Sequence, residues 1–158
     1  IEAVQQWGTG CTGSRFLNGN LQIHEQLEKE LAEFFGYEAA IVYATGFMAN
    51  QGAITALIGE NDFIFSDEEN HACIIEGCKL TKGQVLVYKH NDMEHLEQLL
   101  ADSEEKCLVT LMHANNEIGN MIDIHAVGAL CMQHQAIFHS DTVQTVGHFP
   151  FDLRNTPV

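Results

Sequence analysis

Basic side chains are scarce in this chain of 158 residues, where seven lysines and arginines stand against 22 aspartates and glutamates. The formal charge of −15 repels phosphate backbones and anionic lipid. We therefore expect neither nucleic acid nor a membrane surface as a partner. Apolar runs are also short, since none approaches the roughly 18 residues that a membrane-spanning helix needs.

Closely spaced cysteine pairs are absent from the sequence as well. The cysteines are odd in number and scattered, so their spacing supports neither a metal site nor a disulfide framework. They are Cys11, Cys73, Cys78, Cys107 and Cys131. We expect reduced thiols that behave as small hydrophobes, and hence a cytoplasmic protein. No N-terminal segment predicts a signal peptide, and because the chain begins at Ile1 we expect its true start to lie further upstream.

Short apolar runs are what the sequence does contain, in alternation with amphipathic stretches. Five runs rich in Ile, Val, Phe and Tyr predict strands short enough to be buried in a parallel sheet. They are Ala39–Ala44, Asp62–Ser66, Gln84–Tyr88, Cys107–Met112 and Ala136–Ser140. The two prolines, Pro150 and Pro157, lie beyond all of these runs.

Four stretches between the strands have helical periodicity. Two are His24–Phe35, with an apolar face of Leu27, Leu31, Phe34 and Phe35, and Phe47–Ile58; the other two follow Asp92 and Asp123. Gly36 and Gly59 are suited to end the first two helices, and the two aspartates to cap the others. The alternation of strands and helices predicts a three-layer α/β/α domain with a mostly parallel sheet.

Polar clusters follow four of the predicted strands at the point where each strand ends. They are Thr45–Phe47, Asp67–His71, His113–Asn116 and Asp141–Gln144. Ligands of open α/β sheets bind outside the carboxyl ends of the strands. Each cluster is a weak signal alone, but their common placement predicts one binding site at this edge of the sheet.

The first two clusters contain residues that suit a phosphorylated aromatic ligand. Gly46 and Phe47 open a helix, where free backbone amides can bind an anion without a basic side chain. His71 can stack on an aromatic ring. The ordinary alternatives are a simple turn at Gly46 and a structural histidine at position 71.

The later clusters offer a carboxylate and two amides. Asp141 ends a buried strand, where an unpaired carboxylate is costly, so it needs a cation such as a protonated pyridine nitrogen; a helix cap or an internal salt bridge is the alternative. Asn116 and Gln144 suit a phenolate oxygen or ordinary loop hydrogen bonds. His139 would share a strand face with Asp141, but without a convincing third ligand we predict no metal site.

Two long segments resemble enzymes that use pyridoxal 5′-phosphate (PLP). Residues 8–100, with GTGCTGSRFLNGN, HEQLEKELAEFFGYEAAIVYATGFMANQGAI, FSDEENHACIIEG and YKHNDMEHLEQLL, resemble the α-oxoamine synthases, which include 2-amino-3-ketobutyrate CoA ligase and 8-amino-7-oxononanoate synthase. Residues 107–158, with HANNEIGNMIDIHAVGALC and IFHSDTVQTVGHFPFDL, resemble the cysteine desulfurases. Both groups have PLP fold type I, so the resemblance implies that residues 1–158 are a partial large domain of the aspartate-aminotransferase fold.

The resemblance also implies roles for the residues at the sheet edge. Thr45, Gly46 and Phe47 would bind the PLP phosphate. His71 and Asp141 would be the catalytic residues, because His71 would stack on the ring and Asp141 would keep the pyridine nitrogen protonated, which makes the ring a strong electron sink. On the desulfurase side, the phenolate oxygen of PLP would be bound by Asn116 and Gln144.

The lysine that binds PLP covalently in both groups would lie beyond Val158. No lysine of the chain matches that position; the five are Lys29, Lys79, Lys82, Lys89 and Lys106. The resemblance also implies that the leading N-terminal segment and the small C-terminal domain of these enzymes have no counterpart in residues 1–158. We therefore expect a fragment that forms no covalent PLP adduct by itself, and a homodimer for the intact protein.

The two resemblances leave three functions open. The longer match implies an α-oxoamine synthase, which condenses an amino acid with an acyl-CoA. That group has a serine-containing S-M-D-G segment and a D-x-x-H motif where this chain has Asn115–Glu117 and Asp141-x-x-Gln144. The residues of this chain at those positions match the cysteine desulfurases, which transfer sulfur from L-cysteine. The third reading is a catalytically inert fragment of a PLP enzyme.

Overall fold

The computed structural model describes residues 1–150 and Leu153. Pro157 and the end of the desulfurase-like segment, from Phe151, fall outside this description apart from Leu153. The chain divides into two compact units, which begin at Ile1 and at Tyr43. Among the described residues, no helix combines the length and the apolar character needed to cross a membrane.

The first unit is mostly helical. Helix α1 is Glu2–Trp7, a short π-helical turn covers Arg15–Gly19, and helix α2 is Gln22–Phe35. Gly36 ends α2 in the left-handed conformation, with φ 74°, which glycine adopts without steric cost. The predicted helix and its C-terminal glycine are thus confirmed, although Phe34 on its apolar face is 80% exposed.

The predicted strand Ala39–Ala44 is wrong, because this segment has no regular secondary structure. Side chains bind the main-chain groups of Val42 that a sheet would use: the N–H donates to Glu28 Oε1 over 2.8 Å, and the carbonyl accepts from Arg15 Nη1 over 2.6 Å. Arg15 and Glu28 also pair with each other at 2.7 Å, and this contact lowers the pKa of Glu28. A strand needs a neighbouring strand, and the described part of the chain supplies none here.

The second unit contains a four-stranded parallel sheet. Its strands are β1 Phe63–Asp67, β2 Gln84–Tyr88, β3 Cys107–Met112 and β6 Ile137–Asp141. They lie in the order β2-β1-β3-β6. Four of the five predicted strands are therefore confirmed to within one residue. Two short strands, β4 Ala114–Asn115 and β5 Asn120–Met121, form a separate antiparallel pair.

Four helices pack against this sheet. They are α3 Gly46–Leu57, α4 Ala72–Leu80, α5 Met93–Ala101 and α6 Ile124–Gln133. The predicted caps of α5 and α6 are confirmed, since the carboxylate of Asp92 accepts from the His95 N–H at 2.9 Å and that of Asp123 from the His125 N–H at 3.0 Å. Helix α4 was not among the predicted helices; its N-cap is the imidazole of His71 rather than a typical capping side chain.

Alternate residues of β1 and β3 face opposite sides of the sheet, and this produces the three layers. The core on the side of α3 and α4 includes Ile54, Ile64, Ile74 and Leu108. The core on the side of α5 and α6 includes Phe65, Leu96, Val109 and Val127. The predicted α/β/α architecture with helices on both faces is confirmed.

Helices α3 and α4 approach each other closely at Gly77. A Cβ atom at this position would lie 3.1 Å from Ile54 Cδ1 and 3.3 Å from Gln51 Cα, which is tighter than ordinary packing. The absence of a side chain therefore lets the two helices lie side by side. Their N-termini, at Gly46 and Ala72, both reach the carboxyl edge of the sheet.

Candidate functional site

A cavity of about 480 Å³ lies where β3 and β6 end and where α3 and α4 begin. It brings together six of the seven residues predicted from the sequence. These are Gly46, Phe47, His71, Asn116, Asp141 and Gln144. Their common position agrees with the expectation that polar clusters from separate strands meet at one edge of the sheet.

Thr45 is the predicted site residue that does not line the cavity. Its Oγ1 accepts a hydrogen bond from the Met48 N–H at 3.2 Å, so Thr45 caps helix α3. The N–H groups of Gly46 and Phe47 belong to the first turn, which has no acceptor within the helix. The space beside Gly46 is open, because a Cβ atom there would meet nothing within 4 Å. An anion can therefore approach this helix end.

Asp141 is held by two neutral donors at the end of β6. Its Oδ1 accepts from the Val143 N–H at 3.0 Å, and its Oδ2 accepts from Asn50 Nδ2 at 2.7 Å. Among the residues that the structure describes, no lysine or arginine forms an ion pair with Asp141. Within this part of the chain, the carboxylate is thus oriented by neutral donors and not by a lysine or arginine.

The imidazole of His71 is fixed by the residue two positions further on. His71 Nδ1 accepts from the Cys73 N–H at 3.2 Å and lies 2.9 Å from Cys73 Sγ. Because Nδ1 is an acceptor, the proton of the neutral ring is on Nε2. The anchored ring forms part of the cavity wall.

Two residues of this site, Asn50 and Cys73, were missed by the sequence predictions. Both are buried, and Asn50 Nδ2 also donates to Cys73 Sγ at 3.0 Å. The only sequence signal for Asn50 is its position four residues after Gly46, which places the two on one face of α3. Cys73 carries no signal beyond its proximity to His71.

The polar clusters do not all contribute their whole length to the cavity. Asp67 is 2% exposed and accepts hydrogen bonds from His90 Nδ1 at 2.7 Å and from the Glu69 N–H at 2.9 Å, outside the cavity lining. His113 lines a different cavity of about 430 Å³. The expectation that ligands bind at the carboxyl ends of the strands identifies the right end of the sheet, but it does not say which side chains line the cavity.

Four of the five cysteines are buried, as expected, and Cys11 is exposed. Burial raises the pKa of Cys78 to about 11 and that of Cys131 to about 12. Burial also raises the pKa of Cys107. These three thiols are therefore neutral and serve as small core residues rather than as nucleophiles.

We expect His139 to make the stability of the chain depend on pH. Burial lowers its pKa below the ordinary value of 6.5, although Asp141 partly opposes this, and its Nδ1 lies 2.8 Å from Thr110 Oγ1. The unfolded chain therefore binds the proton more readily, so the free energy of unfolding falls as pH drops below 6.5, by up to about 1.4 kcal/mol per pH unit.

Urea unfolding of the wild-type chain and of His139→Gln between pH 7.5 and 5.5 measures this contribution. The variant should lose less stability than the wild type over that range. Part of the pH dependence should persist in it, because burial also lowers the pKa of His113. Identical pH dependence in the two proteins would show that His139 does not carry the effect.

A three-layer sheet domain with an anion-accepting helix end, an anchored imidazole and an oriented carboxylate at its carboxyl edge is the arrangement expected of a PLP-fold-type-I domain. A family model described as aminotransferase class I and II matches residues 1–149. The chain belongs to this family.

Curated relatives include α-oxoamine synthases. The chain is 42% identical over 150 residues to a serine palmitoyltransferase of Bacteriovorax stolpii and 39% identical over 150 residues to an 8-amino-7-oxononanoate synthase of Thermoanaerobacter pseudethanolicus. Each match covers 93% of this chain but only 36% and 38% of the relative. The chain thus spans little more than a third of the length of these relatives.

Solved structures that resemble the chain also include serine palmitoyltransferases. A serine palmitoyltransferase of Sphingomonas wittichii matches with a TM-score of 0.83 and 36% identity, over 88% of this chain and 35% of that one. A serine palmitoyltransferase structure with PLP matches with a TM-score of 0.83 and 33% identity over the same shares. Both comparisons support the fold type predicted from the sequence.

Proposed function

We propose that this chain is the PLP-binding part of an α-oxoamine synthase, an enzyme that condenses an amino acid with an acyl-CoA. In this proposal, residues 1–158 form a partial large domain. The observation that carries the proposal is the single cavity in which Gly46, His71 and Asp141 meet. Each contributes a group that a phosphorylated pyridine ring requires, and they come from three separate parts of the sequence.

The chemistry of the cavity fits PLP. The open helix end at Gly46 and Phe47 suits a phosphate, because first-turn N–H groups bind anions. The carboxylate of Asp141 keeps its negative charge available for a protonated ring nitrogen. When bound, PLP supplies an electron-withdrawing ring that stabilises negative charge on the α-carbon of an amino acid.

Other residues of the chain orient the ligand. His71, held through Nδ1, presents its ring and its Nε2–H at the cavity wall. Asn116 and Gln144 are exposed amides at the rim of the cavity, and in this proposal they would donate to the phenolate oxygen. Thr45 contributes indirectly, because its cap on Met48 fixes the turn whose amides receive the phosphate.

Acyl-CoA condensation is favoured over sulfur transfer by the extent of the sequence matches. They cover 93% of the chain and therefore continue through the segment that resembles cysteine desulfurases. A desulfurase remains the second candidate, because Asn116 and Gln144, the two desulfurase-like positions, both line the cavity. We further propose that the intact protein is a cytoplasmic homodimer.

Titration of the 158-residue chain with PLP tests the cofactor proposal. We expect reversible binding with a Kd on the order of 10 μM, and weaker binding of pyridoxal, which lacks the phosphate. Borohydride should fix no PLP in the cavity, because none of the five lysines lines it. No binding of PLP at millimolar concentration would overturn the cofactor assignment, and covalent fixation of the PLP bound in the cavity would overturn the argument about the lysines.

The two candidate reactions are distinguished in a longer protein that contains this chain and its downstream region. An α-oxoamine synthase should release free CoA from an acyl-CoA only when an amino acid is present. A desulfurase should release sulfide from L-cysteine in the presence of a reducing thiol and leave acyl-CoA intact. Sulfide release without CoA release would replace the first proposal by the second.

A further inference from the structure

We propose that Asn50 is a positioning residue that orients the carboxylate of Asp141 toward the cofactor ring and links it to the anchor of His71. This inference rests on the proposed PLP site. Asn50 lies on α3, is 7% exposed, and lines the floor of the cavity. Nothing in its local sequence requires a polar side chain at a buried helix position, where an unpaired amide would be costly.

Both partners of the Asn50 amide nitrogen belong to the site. Nδ2 donates to Asp141 Oδ2 at 2.7 Å and to Cys73 Sγ at 3.0 Å. A side-chain amide carries two N–H donors, so one hydrogen serves each partner. The amide therefore connects α3, the end of β6 and the start of α4 at one point.

The effect on Asp141 follows from the charge of the donors. Asn50 and the Val143 N–H each bind one carboxylate oxygen, which fixes the plane of the carboxylate. Both donors are neutral, so they orient the group without cancelling its charge. A lysine at position 50 would instead form an ion pair with Asp141 and compete with the ring nitrogen. A neutral amide is therefore the side chain that prepares this carboxylate for a cationic ligand.

The link to His71 passes through Cys73. Cys73 Sγ accepts from Asn50 and lies 2.9 Å from His71 Nδ1, so the thiol hydrogen can point to that nitrogen. The backbone N–H of Cys73 also donates to Nδ1. Asp141 and His71, the two residues that would hold the ring nitrogen and the ring face of PLP, are thus joined by one hydrogen-bonded chain.

A double-mutant cycle tests the inference with pyridoxine 5′-phosphate, which has the ring and phosphate of PLP but no aldehyde. Its Kd is measured by ultraviolet difference absorbance for the 158-residue chain, Asn50→Leu, Asp141→Asn and the double variant. Asn50→Leu should weaken binding about tenfold, since it removes a hydrogen bond to a charged group. In the Asp141→Asn background the same change should cost only about twofold, because the part of its effect that passes through the carboxylate is gone and the part that passes through Cys73 and His71 remains.

Asn70→Leu is the matched control. Asn70 is also a 7% exposed asparagine, but its amide donates to Ser66 Oγ and the Thr110 carbonyl and lies outside the cavity lining. Its effect on binding should be the same in both Asp141 backgrounds. Asn50→Leu behaving in this additive way would overturn the positioning role and leave Asn50 a packing residue.

Circular dichroism at the binding temperature establishes that each variant is folded. Where Asn50→Leu is not, Asn50→Ser enters the same cycle, because its shorter side chain removes the contact with Asp141 while adding no apolar bulk. If neither Asn50→Leu nor Asn50→Ser is coupled to Asp141→Asn in the binding cycle, this inference alone is overturned. Failure of the wild-type chain to bind pyridoxine 5′-phosphate overturns the proposed function as well, so the two failures are distinguishable.

Discussion

Replacing Asp141 by asparagine should lower the affinity of the chain for pyridoxine 5′-phosphate about 100-fold. The change is nearly isosteric, and the carbonyl of the new amide can still accept a hydrogen bond in place of one carboxylate oxygen. What it removes is the negative charge that would face the ring, together with one of the two acceptors that bind Val143 and Asn50. Without that charge the ring nitrogen loses its proton on binding, so the ultraviolet spectrum of the bound ligand should shift to that of the neutral pyridine.

Asp102→Asn is the control for this substitution, because Asp102 is exposed and outside the cavity. It should leave the affinity and the spectrum unchanged. In a longer protein that contains the chain, Asp141→Asn should reduce turnover by orders of magnitude, whereas Lys79→Ala on the surface of α4 should not. Wild-type affinity and a protonated ring in Asp141→Asn would remove this residue from the site.

The sheet was predictable because the residue types of its strands reflect how deeply the strands are buried. A strand covered on both faces is a continuous apolar run, as in Cys107–Met112, whose six residues are all buried. Ala39–Ala44 is also a short apolar run and yet is not a strand. Strand formation depends on a partner distant in sequence, and here Glu28 and Arg15 bind the main-chain groups of Val42. Composition alone does not carry that information.

The site was predictable in its outline for a similar reason. Gly46, His71 and Asp141 follow or begin regular elements, and the carboxyl edge of a parallel sheet collects such positions. Asn50 could not be found in this way, because its partner Asp141 is 91 residues further along the chain. Thr45 and Asp67 have suitable side chains, but local capping and hydrogen bonds to nearby backbone keep them out of the cavity lining.

Replacing Gly77 by a larger residue should lower both the stability of the chain and its affinity for pyridoxine 5′-phosphate. In an open helix, Gly→Ala stabilises by about 1 kcal/mol through helix propensity. At Gly77 we expect this gain to be lost, because the new Cβ would press on Ile54 and on the backbone at Gln51. Gly77→Val should lower the free energy of unfolding in urea by about 3 kcal/mol, since its larger side chain must push α3 and α4 apart.

The same separation of helices should reach the cofactor site, because the contact between Asn50 Nδ2 and Cys73 Sγ joins α3 to α4. Folded Gly77→Val should therefore bind pyridoxine 5′-phosphate several-fold more weakly, and Gly77→Ala less so. Gly59→Ala is the control, because a Cβ there meets Asp62 Oδ2 at an ordinary 3.4 Å. A Gly77→Val chain as stable as Gly59→Ala would contradict the close packing, whereas a destabilised chain with unchanged affinity would show that the site does not depend on the spacing of the two helices.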